Sequence, residues 1–196
     1  MWWALTSAID PVRLAFIGDT GADDNAHRVL NLTSQWQSDA VIHVGDFDYN
    51  DDPNEFAKMI NDFLPTTPFI AAMGNHDVMK WDEYKALLQP LHSFDCVGSY
   101  GEDYNCNIKG IQVYFGGFGL SNVTFNASSF LSANTAPWKI CTWHMNQHDF
   151  QTGHKHDDVG FVPYDLCRSA GAMIVNGREH VYARTTAMSS LSLIHI

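Results

Sequence analysis

Three short apolar runs, each stopped by a glycine, set the frame for this chain. They are Leu14-Ala15-Phe16-Ile17 before Gly18-Asp19, Val41-Ile42-His43-Val44 before Gly45-Asp46, and Phe69-Ile70-Ala71-Ala72-Met73 before Gly74-Asn75-His76-Asp77. Runs this short and this apolar suit strands buried in a layered α/β fold. Open α/β sheets place their sites outside the carboxyl ends of the strands. Asp19, Asp46, Asn75 and His76 all fall just past such ends. Oxygen, amide and imidazole donors gathered on one edge predict a site for metal ions.

The rest of the chain extends this frame. Asp23-Asp24-Asn25 predicts the cap of a helix carrying Val29, Leu30 and Trp36. Asp51-Asp52-Pro53 opens a second helix, with Phe56, Met59, Ile60 and Phe63 at helical spacing toward the core. Residues 81–88 form a third candidate, ending before Pro90. The pattern then changes to two strands, 104–108 and 111–118, around Lys109-Gly110, which predicts a hairpin. After Pro137 the αβ alternation resumes, with a strand at 138–143, a helix at 162–170 and a strand at 172–175.

Composition narrows the class. A chain of 196 residues with 45% hydrophobic and 17% charged residues is globular and can bury one sizeable core. A net charge of −11 argues against nucleic acid as a partner. No run is long and apolar enough to span a membrane. Met1 to Leu5 is too short for a complete signal peptide, so the amino end reads as truncated or trimmed of a leader. Four cysteines and the sequons at Asn31, Asn122 and Asn126 lean toward a secretory route. Cys96 and Cys106 flank a polar loop and are placed to clip it. Cys141 and Cys167 read equally well as buried small apolar residues.

The first two motifs run Gly18-Asp19-Thr20-Gly21 and Gly45-Asp46-Phe47-Asp48-Tyr49. With these residues the chain resembles the calcineurin-like metallophosphoesterases and, within them, the purple acid phosphatases. Most of that superfamily has Asp-x-His in the first motif. The purple branch has Asp-x-Gly there and gains a compensating Tyr in the second. Gly21 and Tyr49 stand at those positions. A phenol has a pKa of about 10 and ligates poorly while protonated. A hard trivalent cation displaces that proton, so Tyr49 favours Fe(III) over Zn or Mn(II).

The later motifs follow in order. His144 comes after the run Lys139-Ile140-Cys141-Thr142-Trp143, where the family carries a metal-binding His. The family's last motif, Gly-His-x-His followed by Tyr-x-Arg, aligns with Gly177-Arg178-Glu179-His180-Val181-Tyr182-Ala183-Arg184. The resemblance therefore assigns Asp19, Asp46, Tyr49 and His180 to Fe(III). It assigns Asp46 as bridge, Asn75 and His144 to a divalent ion (Fe, Zn or Mn). Arg178 stands where that second ion should receive a His. A guanidinium has no lone pair for a metal. Three readings stay open: Arg178 swings away and leaves a weak second site, Arg178 clamps phosphate in part of the second metal's place, or it is a single-base misreading of a His codon. The His-rich segment from His144 to His156 reads as a polar rim loop, with His148 or His154 as the other source of a replacement ligand.

The resemblance spans residues 14–184 and implies two packed mixed β-sheets flanked by helices, an αββα sandwich, as a metallophosphoesterase domain over 12–186. Residues 187–196 read as a tail of doubtful nature, and the family's sheet normally continues beyond them. The implied activity is hydrolysis of small phosphate monoesters, with His76 steadying charge or protonating the leaving alkoxide and Asp77 orienting it or serving as a structural turn residue. The implied setting is secreted or lysosomal, and the oligomeric state stays open. A catalytically weak phosphate-binding relative is the alternative, because of Arg178. A Zn or Mn phosphodiesterase is a third reading, opposed by Gly21 with Tyr49.

Overall fold

The computed structural model describes residues 11–120, 127, 131, 135–153, 155–156 and 159–186. The expectations for residues 1–5, the sequons at Asn122 and Asn126, and the tail at 187–196 lie outside the described residues.

The three apolar runs become β1 (Leu14–Ile17), β2 (Ala40–His43) and β3 (Phe69–Ala71), all parallel in the order β1-β2-β3. Parallel strands need long crossovers, here made by α1 (Asp24–Gln35) and α2 (Pro53–Phe63). Asp23 caps α1 by accepting the N–H groups of Asn25 and Ala26. Asp52 caps α2 by accepting Glu55 N–H, with Pro53 in the first turn, where its missing N–H costs nothing. Phe56, Ala57, Met59 and Ile60 bury the inner face of α2. Each full-sized side chain so buried contributes about 2 kcal/mol.

One expectation, the burial of β1, changes here, and α1 buries less of its surface than α2. Val29 and Trp36 are exposed, Trp36 by 70%, and Leu30 alone of the three enters the core. Trp36 is the carboxyl cap of α1 and stands over an apolar groove of about 590 Å³ lined by Leu14, Phe16 and Leu32. β1, expected to be buried, is only partly so along its whole length, with open grooves against Leu14 and Phe16, whereas β3 at the other edge of the sheet is buried. Central β2 is buried throughout.

The second sheet has the order β4-β5-β6-β7-β8, from β4 (Asp95–Ser99), β5 (Asp103–Ile108), β6 (Ile111–Gly116), β7 (Trp138–Trp143) and β8 (Met173–Asn176). Its first three strands are antiparallel and its last three parallel, so this sheet is mixed while the first is wholly parallel. β4 falls in the segment read as a polar loop. Cys96 and Cys106 are direct cross-strand partners in register, so their disulfide staples β4 to β5 rather than closing a loop. α3 (Trp81–Leu88) buries Trp81, Tyr84 and Leu88, and α4 (Val162–Ser169) crosses from β7 to β8.

Strand period 2 divides the second sheet between two cores. Val113, Phe115 and Ile140 face the main core with β2, β3, α2 and α3. Tyr114, Cys141 and Trp143 face outward against Tyr164 and Cys167 of α4. Cys141 and Cys167 are bonded, which settles the open reading of that pair and ties β7 to α4. Tyr104 Oη donates to Ala71 O at 2.7 Å, and Met73 N–H to Gly101 O at 2.9 Å, so the end of β3 is fixed to the β4–β5 turn.

Candidate metal centre

The loops after the three parallel strands are stitched to one another by their backbones. Asp19 N–H donates to Gly45 O at 3.0 Å and Thr20 N–H to Asp46 O at 3.1 Å. Closeness explains the glycines. A Cβ on Gly74 would lie 2.1 Å from Asp46 N, and one on Gly45, at φ +93°, would lie 2.7 Å from the Gly74 Cα. Asp19, Asp46, Tyr49, Arg178 and His180 all adopt positive φ, five of the eight described non-glycine residues that do. That backbone is costly for L-residues and persists where the surroundings fix it, commonly at functional sites.

The side chains converge in two adjoining groups. In the first, Tyr49 Oη lies 3.0 Å from His180 Nε2 and 3.5 Å from Asp19 Oδ1, and His180 Nε2 lies 3.4 Å from Asp19 Oδ1. In the second, His144 Nε2 lies 3.2 Å from Asp46 Oδ2 and 3.1 Å from Asn75 Oδ1. Asp19, Asp46 and His144 offer ligand atoms all within 4.8 Å of one another, so the two groups meet. His144 Nδ1 donates to Val44 O at 2.8 Å. That bond fixes the tautomer and points the Nε2 lone pair into the cluster, the usual arrangement of a metal-binding histidine. All six expected ligands are thus brought together, and carboxylate, phenol and imidazole donors suit a cation.

The electrostatics follow from crowding. Burial pushes Asp19 up, offset in part by His144. Burial also opposes ionisation of Asp46, but its bond and charge pairing with His144 outweigh that and hold it low. His144 is raised in turn, because Asp46 and Asp19 overcome its burial. Burial and the Asp19, Asp46 and Asp77 carboxylates push the Tyr49 phenol far above its ordinary range. A multivalent cation here reverses each of these costs.

The family model of the calcineurin-like phosphoesterases matches residues 12–182. The chain belongs to that family. Acid phosphatase type 7 of Homo sapiens and that of Mus musculus are each 37% identical over 83 residues, covering 38% of this chain and 19% of theirs. The chain thus spans about a fifth of the length of these curated relatives. Among solved structures, a purple acid phosphatase of yellow lupin seeds is similar in fold, with a TM-score of 0.61 at 16% identity over 83% of this chain and 37% of that one. GAP50, the anchor in the inner membrane complex of Plasmodium, has a TM-score of 0.56 at 13% identity over 86% and 66% of the two chains. The phosphoesterase family implies a dinuclear metal site, and the converging donors are a candidate for it.

Not every expected site residue of this phosphoesterase faces the cluster. His76 is exposed at the rim, its N–H donating to Asp46 Oδ1 at 2.9 Å and its ring 4.8 Å from the Tyr49 ring. Asp77 points the other way. Its carboxylate accepts the N–H groups of Asp46, Phe47 and Gly74 at 2.9, 2.9 and 2.6 Å, and burial pushes it up to about 7. It holds the second and third motifs together from beneath, the structural turn role, and its described hydrogen bonds are to these amides rather than to the His76 side chain. Arg178 does not swing away: Nη1 donates to Asn75 Oδ1 at 2.5 Å. His148 is exposed, its Nδ1 3.0 Å from Lys155 O, and His154 lies outside the described residues.

Sequence reasoning passed over several supports. Asp48 accepts the N–H groups of Asn50, Asp51 and Asp52 and the Tyr84 hydroxyl, which shapes the turn that presents Tyr49. An Asp before a polar turn is the signal that could have found it. His43 accepts Gly45 N–H at Nδ1 and meets the Thr20 hydroxyl at Nε2, joining the first two motifs below the cluster. A histidine inside an otherwise apolar strand was its signal.

Proposed function

We propose that this phosphoesterase is a metal-dependent phosphoric monoester hydrolase of the acid phosphatase type, with Fe(III) held by Asp19, Asp46, Tyr49 and His180. The observation that carries this reading is the Tyr49 phenol at 3.0 Å from His180 Nε2 and 3.5 Å from Asp19 Oδ1. A phenol amid carboxylates and imidazole is a donor set for a hard, highly charged cation. By the family's pattern Asp46, Asn75 and His144 would be the donors toward a second, divalent ion (Fe, Zn or Mn), at the place that Arg178 adjoins. A bound cation at such a site acidifies water and draws phosphoryl oxygens.

The chain's own residues do the rest. His76 stands at the open rim, fixed through its N–H to Asp46, and carries a proton to the leaving alkoxide. Arg178 presents its planar fork to the phosphoryl oxygens. Tyr49, His76 and His180 are exposed, which leaves room for small phosphorylated substrates, and the net charge of −11 disfavours nucleic acid. Two disulfides and an exposed Asn31 within its sequon support a secreted or lysosomal setting. No described helix is long and apolar enough to cross a membrane.

A second reading, a weakly catalytic phosphate-binding relative, is favoured by one observation: Arg178 Nη1 on Asn75 Oδ1. Hydrolysis of p-nitrophenyl phosphate by the purified protein separates the two. Turnover that disappears on chelation and returns with iron supports the phosphatase. Tight phosphate binding without turnover in the iron-loaded protein supports the second reading.

A further inference from the structure

We propose that the Arg178 guanidinium replaces the second metal ion, so that this chain holds one cation tightly and pairs it with a fixed guanidinium to grip phosphate. The inference rests on the phosphatase reading for its ligand, but not for its metal count.

Chemistry sets the starting point. A guanidinium has no lone pair to share with a metal and stays charged at any working pH. It repels a cation beside it and offers the same sign of charge to an oxyanion. Asp46 Oδ2, Asn75 Oδ1 and His144 Nε2 converge on one side of the cluster, and the side chain that closes on them is a cation, Arg178. Arg178 Nη1 binds Asn75 Oδ1 at 2.5 Å, the same oxygen that lies 3.1 Å from His144 Nε2.

The position is built. Arg178 N–H donates to both oxygens of Asp19, at 3.2 and 3.0 Å. Its carbonyl accepts the Lys155 ammonium. Its φ of +87° turns the chain sharply. Gly177, just before it, packs so closely that a Cβ there would lie 2.8 Å from His144 Nδ1 and 3.0 Å from Asp19 Oδ2. Asp19, Lys155 and Asn75 thus hold the residue at its amide, its carbonyl and its side chain. Lys155 is a positioning residue for this arrangement. The fork of N–H donors on Arg suits the paired oxygens of a phosphoryl group.

Elemental analysis of the full chain, purified and passed through a weak chelator, counts the metals. Inorganic phosphate titrated calorimetrically reads the clamp. One iron per wild-type chain is expected, and two metals in Arg178→His. Arg178→Met is expected to weaken phosphate binding by roughly 10-fold or more, since a charge-assisted hydrogen bond is lost, with Arg178→Lys falling between. Lys155→Met is expected to weaken phosphate binding with the iron count unchanged. Two tightly held metals in the wild-type chain overturn the inference without any variant. Phosphate affinity unchanged in Arg178→Met overturns the clamp. One iron and an Arg178-dependent phosphate site without ester hydrolysis sustain the inference and remove the phosphatase reading instead.

Discussion

Tyr49 and His180 lie 131 residues apart in sequence and meet at 3.0 Å, Oη to Nε2. Each sits on a backbone with positive φ, 60° and 53°, in the loops after β2 and β8. Such conformations cost about 1 kcal/mol or more apiece, so two of them facing each other over Asp19 mark a place where the fold gives up stability to set side-chain direction. The parallel strands bring the loops to one edge, and the glycines let them touch.

Asp46 is expected to be the most sensitive residue of the cluster. It is 2% exposed, takes the His76 N–H on Oδ1, and lies 3.2 Å from His144 Nε2 through Oδ2. Asp46→Asn is expected to lose more turnover than Asn75→Ala or His144→Ala and to weaken metal affinity by roughly 100-fold or more. Metal content and turnover of the three variants, measured together, check this. Near-normal turnover in Asp46→Asn removes it from the centre of the account.

Asp77 is expected to matter for stability before chemistry. Asp77→Ala strands three buried N–H groups, of Asp46, Phe47 and Gly74, at a cost of about 3 kcal/mol or more. Urea unfolding of the metal-free protein reads this directly. An unchanged midpoint with reduced turnover would give Asp77 a direct role in the reaction.

Much of this architecture was legible from residues. Gly-stopped apolar runs gave the three parallel strands, and Asp52-Pro53 the start of α2. The six converging donors were legible only through motif order and the paired departures at Gly21 and Tyr49. What local pattern does not encode was missed. The partial exposure of β1 depends on what packs against its faces, since β3, also at a sheet edge, is buried. Asp95–Ser99 pairs as a strand because β5 lies beside it, despite its turn-rich composition. The inward turn of Asp77 depends on amides 30 and 31 residues away.

His43 predicts an acid limb in stability. Burial among Phe47, Phe56 and Phe69 holds its imidazole neutral, with a pKa lowered to about 3, and His144 and Asp46 are the nearest charged groups. The unfolded chain titrates at about 6.5. Below that pH it takes up a proton that the folded chain refuses, so the neutral ring's stability is complete above pH about 6.5 and falls by about 1.4 kcal/mol per unit as pH drops toward 3. His43→Gln lowers stability at neutral pH, and its deficit is expected to shrink by roughly 2 kcal/mol between about pH 7 and 5. Urea midpoints at both values check this; a constant deficit contradicts it.

The most direct test of an iron centre built on Tyr49 is the visible absorption spectrum of the iron-loaded protein. A tyrosinate-to-Fe(III) charge-transfer band is expected, absent in Tyr49→Phe, which also retains less iron. A fully metallated protein that is colourless, or a band that survives in Tyr49→Phe, contradicts the account.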